Sequence, residues 1–262
     1  MIVAHRGESY LAPENTLAAI RLAWELGAQC VECDVHLTAD GALAVIHNAD
    51  TKHTGDKTLV VKDATFEQLQ TVDVGQWKDA KWAGERIPAV KQVLATVPEG
   101  RQLLVEVKVG PEAVAPLLRA IESSGKPAGR FAVISFHTAV IAEVKKLAPS
   151  QQAFWISAFK QDKQTGAWSP TADQLFAAAK QCHADGLCLE AKAFVDPAFV
   201  AKVKNAGLLL NVWTIDTPEV VQRYLTYGVD SVTTNRAAWI REQLGLANRK
   251  QAPGAKGSNV CS

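Results

Sequence analysis

The feature that most constrains this chain is an alternation. Short runs rich in Val, Ile and Leu are followed, almost to the end, by segments whose apolar residues recur at helical period. The strand-like runs fall near residues 2–6, 30–35, 103–108, 131–136, 152–157, 186–190, 208–214 and 231–235. The helical segments fall near 14–26, 89–96, 112–124, 138–147, 171–182, 196–206, 217–227 and 236–246. Pro13 announces the first helix, and Gly27, Gly125, Gly207 and Gly228 each follow a helical segment where a left-handed cap is wanted. Eight strand-then-helix units in 262 residues predict an α/β protein, a parallel (β/α)8 TIM barrel. An open, doubly wound sheet would need a glycine-rich phosphate turn after its first strand. His5-Arg6-Gly7-Glu8-Ser9 is not one.

Two stretches break the alternation. Residues 36–42 are too short to cross over and return parallel, and Asp40-Gly41 is a hairpin signal. The run 43–47 is therefore expected antiparallel to the second strand, which folds His47 back beside Glu32 and Asp34. The second stretch, 48–88, is long and polar, with Trp77, Trp82 and one short helical segment near 65–71. A loop of that length at a barrel mouth reads as a lid or rim, or as a loop pinned to the barrel by its tryptophans. Residues 1–247 are expected to form one domain, with 48–88 as an inserted loop region. The tail 248–262, lacking apolar content and holding Cys261, is expected to be disordered.

Composition narrows the function classes. With 48% apolar and 21% charged residues, the chain has ample core and is an ordinary globular protein. A net charge of +1 excludes a strongly basic nucleic-acid binder. No run approaches the ~20 apolar residues of a membrane span, so no stable membrane insertion is expected. His5 lies too near the start for a cleavable leader to precede the first motif, and a cytoplasmic location is expected. Cys30, Cys33 and Cys188 read as reduced thiols. The spacing Cys30-x-x-Cys33 suggests a redox or zinc pair, but positions three apart on a strand point to opposite faces.

The chemistry sits where apolar runs end. Residues two apart on a strand share a face, so Glu32 and Asp34 project two carboxylates into one volume, and Glu106 and Lys108 repeat the spacing on the next barrel strand. Buried carboxylates cost free energy unless paired or metal-bound. Three of them with a lysine make a hard oxygen site suited to one divalent cation, Mg2+ or Ca2+. They could instead form a structural network with Arg6 and Lys108. His5 and His47 are the natural proton carriers, a general acid and a general base. Arg6 and Lys108 offer positive charge to an anion, and phosphate suits arginine's forked donors. His36, His53, His137 and His183 are expected in turns or helices, apart from this cluster.

The chain resembles the glycerophosphodiester phosphodiesterases of the bacterial cytoplasmic type. The likeness is carried by His5-Arg6-Gly7, Pro13-Glu14-Asn15-Thr16, Glu32-x-Asp34, Thr38-Ala-Asp40-Gly41, His47 and Gly84-Glu-Arg-Ile-Pro88. It continues through Glu106-x-Lys108, Ser135-Phe136, Trp213-Thr214 and Gly228-Val-Asp230. These fragments span nearly the whole chain in family order. The resemblance implies a TIM barrel, a divalent cation on Glu32, Asp34 and Glu106, and His5 and His47 as acid and base. It also implies that Arg6 and Lys108 hold the phosphate while Phe136 and Trp213 wall the pocket. Three positions depart from the family's usual pattern: Asn48 and Asn235 stand where Asp is common, and His53 precedes Thr54 where Arg is common.

The implied reaction is metal-dependent hydrolysis of a small-molecule glycerophosphodiester, such as glycerophosphocholine or glycerophosphoethanolamine, to sn-glycerol 3-phosphate and an alcohol. The attacking oxygen is either water or the neighbouring glycerol hydroxyl, acting through a cyclic phosphate. One alternative keeps the barrel but takes lysophospholipids, as a lysophospholipase D does, with an apolar slot framed by Trp77 and Trp82. Another is a non-catalytic barrel that binds metal and phosphate, which would have no use for paired proton carriers.

Overall fold

The computed structural model describes residues 1–192 and 194–246. Among these, the elements run β1 (Ile2–Ala4), α1 (Leu17–Glu25), β2 (Cys30–Leu37), β3 (Leu43–Val45), α2 (Phe66–Gln70), α3 (Val90–Thr96), β4 (Gln102–Val107) and α4 (Val114–Ser123). They continue with β5 (Phe131–Ser135), α5 (Thr138–Leu147), β6 (Gln152–Ser157), β7 (Lys160–Gln161), β8 (Trp168–Ser169), α6 (Ala172–Gln181) and β9 (Gly186–Glu190). The last are α7 (Pro197–Asn205), β10 (Leu209–Trp213), α8 (Pro218–Tyr227), β11 (Ser231–Thr234) and α9 (Ala237–Gln243).

Eight of these strands pair in parallel in the order β1-β11-β10-β9-β6-β5-β4-β2, and β1 pairs back with β2 to close the barrel. Helices cover the outside, so β2 is buried along nearly its whole length. The strand period divides each strand's residues between two cores. Val31, Cys33, Val35, Leu103 and Val105 pack outward against the helices. Val3, Cys30, Leu104, Ile134, Phe154, Ile156 and Cys188 fill the barrel. Cys30 and Cys33 thus lie on opposite faces, and Cys30, Cys33, Cys182 and Cys188 are free and buried.

The expected hairpin is present: Val45 pairs antiparallel with Val35, and Leu43 with Leu37. The long stretch after it builds a satellite core around Val61, Leu69, Val72, Val74 and Ile87. Trp77 donates its indole N–H to the Val74 carbonyl at 2.8 Å and pins its own loop. The 160–169 hairpin of β7 and β8, Lys160 opposite Ser169, was not legible in the periodicity because each strand is two residues long. The residues of the 248–262 tail lie outside the described residues.

The first helix starts three residues later than its period suggests. Thr16 is its N-cap, accepting from Ala19 N, so residues 13–16 form a turn before the helix. Asn15 is held in the left-handed region (φ 59°) with its side chain committed to β2. Gly7 (φ 84°) lets the loop after β1 press onto α1: a Cβ there would stand 2.5 Å from the Ala19 carbonyl carbon.

Candidate active site

The register places Asp34 opposite Glu106, and the period of two brings Glu32 to the same face. One carboxylate oxygen from each of the three lies within 4.8 Å of the others, and all three residues are buried. His5 follows β1 and His47 follows β3, so both arrive at the C-terminal mouth of the barrel, where such folds build their sites. His5 Nε2 stands 3.9 Å from Glu32 Oε2. His5, Arg6, Glu32, His47, Glu106, Lys108, Phe136 and Trp213 line one cavity of about 170 Å³. Its apolar wall is Phe136 edge-on to Trp213 at 5.8 Å, with Cys188, Ile134 and Ile156 at the base. All nine site residues expected from sequence are therefore brought together. Asp34 is not among the lining residues but contacts two of them, its carboxylate held between Arg6 Nε and Lys108 Nζ, both at 3.4 Å. A cavity of about 200 Å³ at the other end of the barrel, lined by Met1, Arg130 and Asp230 among others, holds no histidine and no carboxylate cluster.

Electrostatics separates the three acids. Burial and the neighbouring Asp34 and Glu106 push Glu32 well above the usual carboxylate range. Burial and Asp34 push Glu106 up to about 7, against the pull of Lys108, whose Nζ donates to its Oε1 at 2.6 Å. Burial would raise Asp34 too, but Lys108, Arg6 and both histidines outweigh it and hold Asp34 below its usual value. Burial lowers His5 and His47, helped by Arg6 in both and by Lys108 at His47.

The residues fit a hard divalent cation. Glu32 Oε1 is buried without a hydrogen-bond donor, a costly state for a carboxylate oxygen that a bound cation would relieve, and Asp34 Oδ1 has only the Lys108 ion pair at 3.4 Å. The donors are all oxygen, with no thiolate among them.

Several residues that the sequence named only within motifs or as departures from them prove to support the site. Asn15 grips Asp34 twice: its Nδ2 donates to Oδ2 at 2.8 Å, and its Oδ1 accepts from the Asp34 backbone N–H at 3.1 Å. Its left-handed turn was the available signal, since Asn tolerates that conformation. Glu14 accepts from Arg6 Nη1 at 2.9 Å. Asn235 and Asn48 each present Oδ1 to a histidine Nδ1 at 2.7 Å, on His5 and His47 respectively. His36 was expected in a turn away from the cluster, but it lies on β2 with Nε2 3.0 Å from the His47 carbonyl. Strand β2 extends farther than its apolar run because β3 pairs with its polar end. His53 lies tilted against Trp77, His137 holds the N-cap position of α5 without a side-chain bond, and His183 follows α6 in the left-handed region, all outside the cavity lining.

Fold and site together define a (β/α)8 barrel with a carboxylate trio, two histidines and two cations at its C-terminal mouth. The sequence profile of the glycerophosphoryl diester phosphodiesterase family matches residues 5–238. The chain belongs to that family. A glycerophosphodiester phosphodiesterase of Caldanaerobacter subterraneus is 33% identical over 240 residues, covering 90% of this chain and 93% of that one. Among solved structures, an Oleispira antarctica phosphodiesterase in complex with the product sn-glycerol-3-phosphate superposes with a TM-score of 0.82 at 23% identity, covering 94% and 96% of the two chains. The Agrobacterium tumefaciens glycerophosphodiester phosphodiesterase superposes with a TM-score of 0.78 at 25% identity, covering 92% and 98%. Among the described residues no helix is long and apolar enough to cross a membrane.

Proposed function

We propose that this protein hydrolyses glycerophosphodiesters to sn-glycerol 3-phosphate and an alcohol. The observation that carries the reading is the pairing of two histidines with a buried carboxylate trio at one cavity of about 170 Å³. That volume suits a head group rather than an acyl chain, and neither Trp77 nor Trp82 lines the cavity, which favours soluble diesters over lysophospholipids. The family match supports the same substrate class and the treatment of residues 1–247 as one domain. The reduced, buried cysteines accord with a cytoplasmic location, where diesters released by lipid breakdown would be met.

Glu32, Asp34 and Glu106 would hold one divalent cation, Mg2+ or Ca2+, which supplies Lewis-acid charge at the phosphate when bound. Arg6 and Lys108 bind the phosphate oxygens and oppose the charge that grows there in the transition state. Glu14 and Asp34 hold the Arg6 guanidinium, at 2.9 Å and 3.4 Å, so it is aimed before substrate arrives. One histidine, neutral, takes the proton from the attacking oxygen while the other, in its protonated form, gives a proton to the departing alcohol. Phe136 and Trp213 pack against the glycerol carbons and exclude water from that side.

The test is kcat for His5→Ala and His47→Ala on glycerophosphocholine, with melting curves to confirm folding. Each substitution lowers kcat by roughly 10²-fold or more, the scale of lost acid–base catalysis. Near-native turnover in either variant contradicts the assignment.

A further inference from the structure

A neutral histidine offers one N–H and one lone pair, and its partners decide which nitrogen carries which. At His5 the partner is Asn235, whose Oδ1 lies 2.7 Å from Nδ1 and also receives the Ser9 hydroxyl at 3.4 Å. An amide can ordinarily turn over and exchange its oxygen for its nitrogen. Here it cannot do so without loss, because Asn235 Nδ2 donates to Asp216 Oδ2 at 2.8 Å. The other oxygen of Asp216 accepts from the Asn235 backbone N–H and from Thr234 Oγ1, each at 2.8 Å. Asp216 thus has three donors aimed at it and none to give. Turning the amide would set oxygen against oxygen.

We propose that Asp216 and Asn235 are a positioning pair that keeps a proton on His5 Nδ1, so that Nε2, facing Glu32 in the cavity, is the nitrogen that exchanges protons. The chain of constraint runs from a carboxylate that only accepts, to an amide with one permitted orientation, to an imidazole with one permitted tautomer. The barrel supplies the geometry. Asp216 follows β10, Asn235 follows β11 and His5 follows β1, three neighbouring strands whose ladders continue into these residues through Ile215 N to Thr233 O and His5 N to Thr234 O. His47 is held differently. Its Nδ1 faces Asn48 Oδ1 at 2.7 Å, but the amide nitrogen of Asn48 has no protein partner among the described residues, so this amide is free to turn. The site therefore contains one histidine committed to a tautomer and one that is not.

The proposal rests on the reading of His5 as a proton carrier, and its test must separate the two. Histidine-labelled protein, examined by ¹⁵N NMR with and without added Mg2+ or Ca2+, reports which ring nitrogen of His5 is protonated without reference to turnover. The expected result is Nδ1–H in the native chain. In Asp216→Asn the new amide keeps its oxygen for the Asn235 backbone N–H and turns its NH2 toward Asn235, whose side chain then turns over and presents Nδ2 to His5. The proton moves to Nε2, and kcat falls by roughly 10²-fold with little change in KM.

The swapped double variant, Asp216→Asn with Asn235→Asp, puts an acceptor-only carboxylate back against His5. It restores the Nδ1–H tautomer and recovers kcat to within about tenfold of the native value. A purely structural role for Asp216 predicts no such recovery. Nε2–H in the native chain, or an unchanged tautomer in folded Asp216→Asn, overturns the proposal. A native chain with Nδ1–H that releases no product from any diester overturns the functional reading and leaves the positioning pair standing.

Discussion

Replacing Glu32 by Gln should make the metal-free protein more stable and the metal-loaded protein less so. Glu32 is 2% exposed, one of its oxygens lacks a donor, and its carboxylate lies within 4.8 Å of those of Asp34 and Glu106. Two unit charges at 4.8 Å repel by about 3.5 kcal/mol at an effective dielectric of ~20. Two such neighbours flank Glu32, and Arg6 and Lys108 offset part of their repulsion, so this figure sets the scale of the gain from removing one charge. The sign follows from linkage. A carboxyl raised above its unfolded value is held protonated by the fold, so native stability declines as pH climbs from the unfolded value toward the folded one. The Gln variant lacks that decline, and its advantage in chelator should grow from pH 5 to pH 8. With cation at a hundred times its Kd the native protein should gain about 2.7 kcal/mol, several degrees in Tm for a chain of this size. The variant, missing a ligand, should gain almost nothing. Melting curves in chelator and in Mg2+ or Ca2+ would therefore cross. A variant less stable than native in chelator at pH 8, or one with the same cation shift, would refute the metal-site reasoning.

Other expectations follow from the same structure. Glu8 is buried against α9, accepts from Ala238 N at 3.1 Å, and is pushed up to about 7, chiefly by burial. Its folded value is raised, so its cost to stability is absent below about pH 4.5, grows as pH rises and is complete above pH 7. Glu8→Gln should remove up to about 3 kcal/mol of that loss, read as a difference in urea midpoint from native that widens between pH 5 and pH 8. Parallel midpoints at the two pH values would count against it. Asn15→Ala should cost roughly 3 kcal/mol, through two lost bonds to Asp34 and a left-handed backbone unsuited to alanine. Asn15→Gly should cost about 1 kcal/mol less, because only the bonds are lost; equal costs in denaturation would show that the backbone strain is negligible. Burial lowers His47, and Asn48 offers it only an uncharged amide. Asn48→Asp should therefore move the histidine limb of the pH–rate profile to higher pH, and an unmoved limb would mean that His47 does not set it.

Much of the site could be read from the chain because barrel geometry converts strand ends into neighbours. Glu32 and Asp34 needed only the period of two, and His47 only the Asp40-Gly41 turn, to be placed beside one another. What escaped reading is what depends on contacts between distant segments. His5 meets Asn235 across 230 residues of chain, and that contact follows only from the closure register in which Ala4 stands opposite Thr234. Asn15 meets Asp34 through a turn whose left-handed backbone carries no hydrophobic period, and helical periodicity through 14–16 concealed it. The β7–β8 hairpin failed for a simpler reason. Two-residue strands are shorter than any periodic signal.

The most direct test of the account is release of sn-glycerol 3-phosphate from glycerophosphocholine and glycerophosphoethanolamine, measured with added Mg2+ or Ca2+ and again after chelation. Release should stop on chelation and return when one of the two cations is restored. Folded protein that releases no product from either diester under any of these conditions would contradict it.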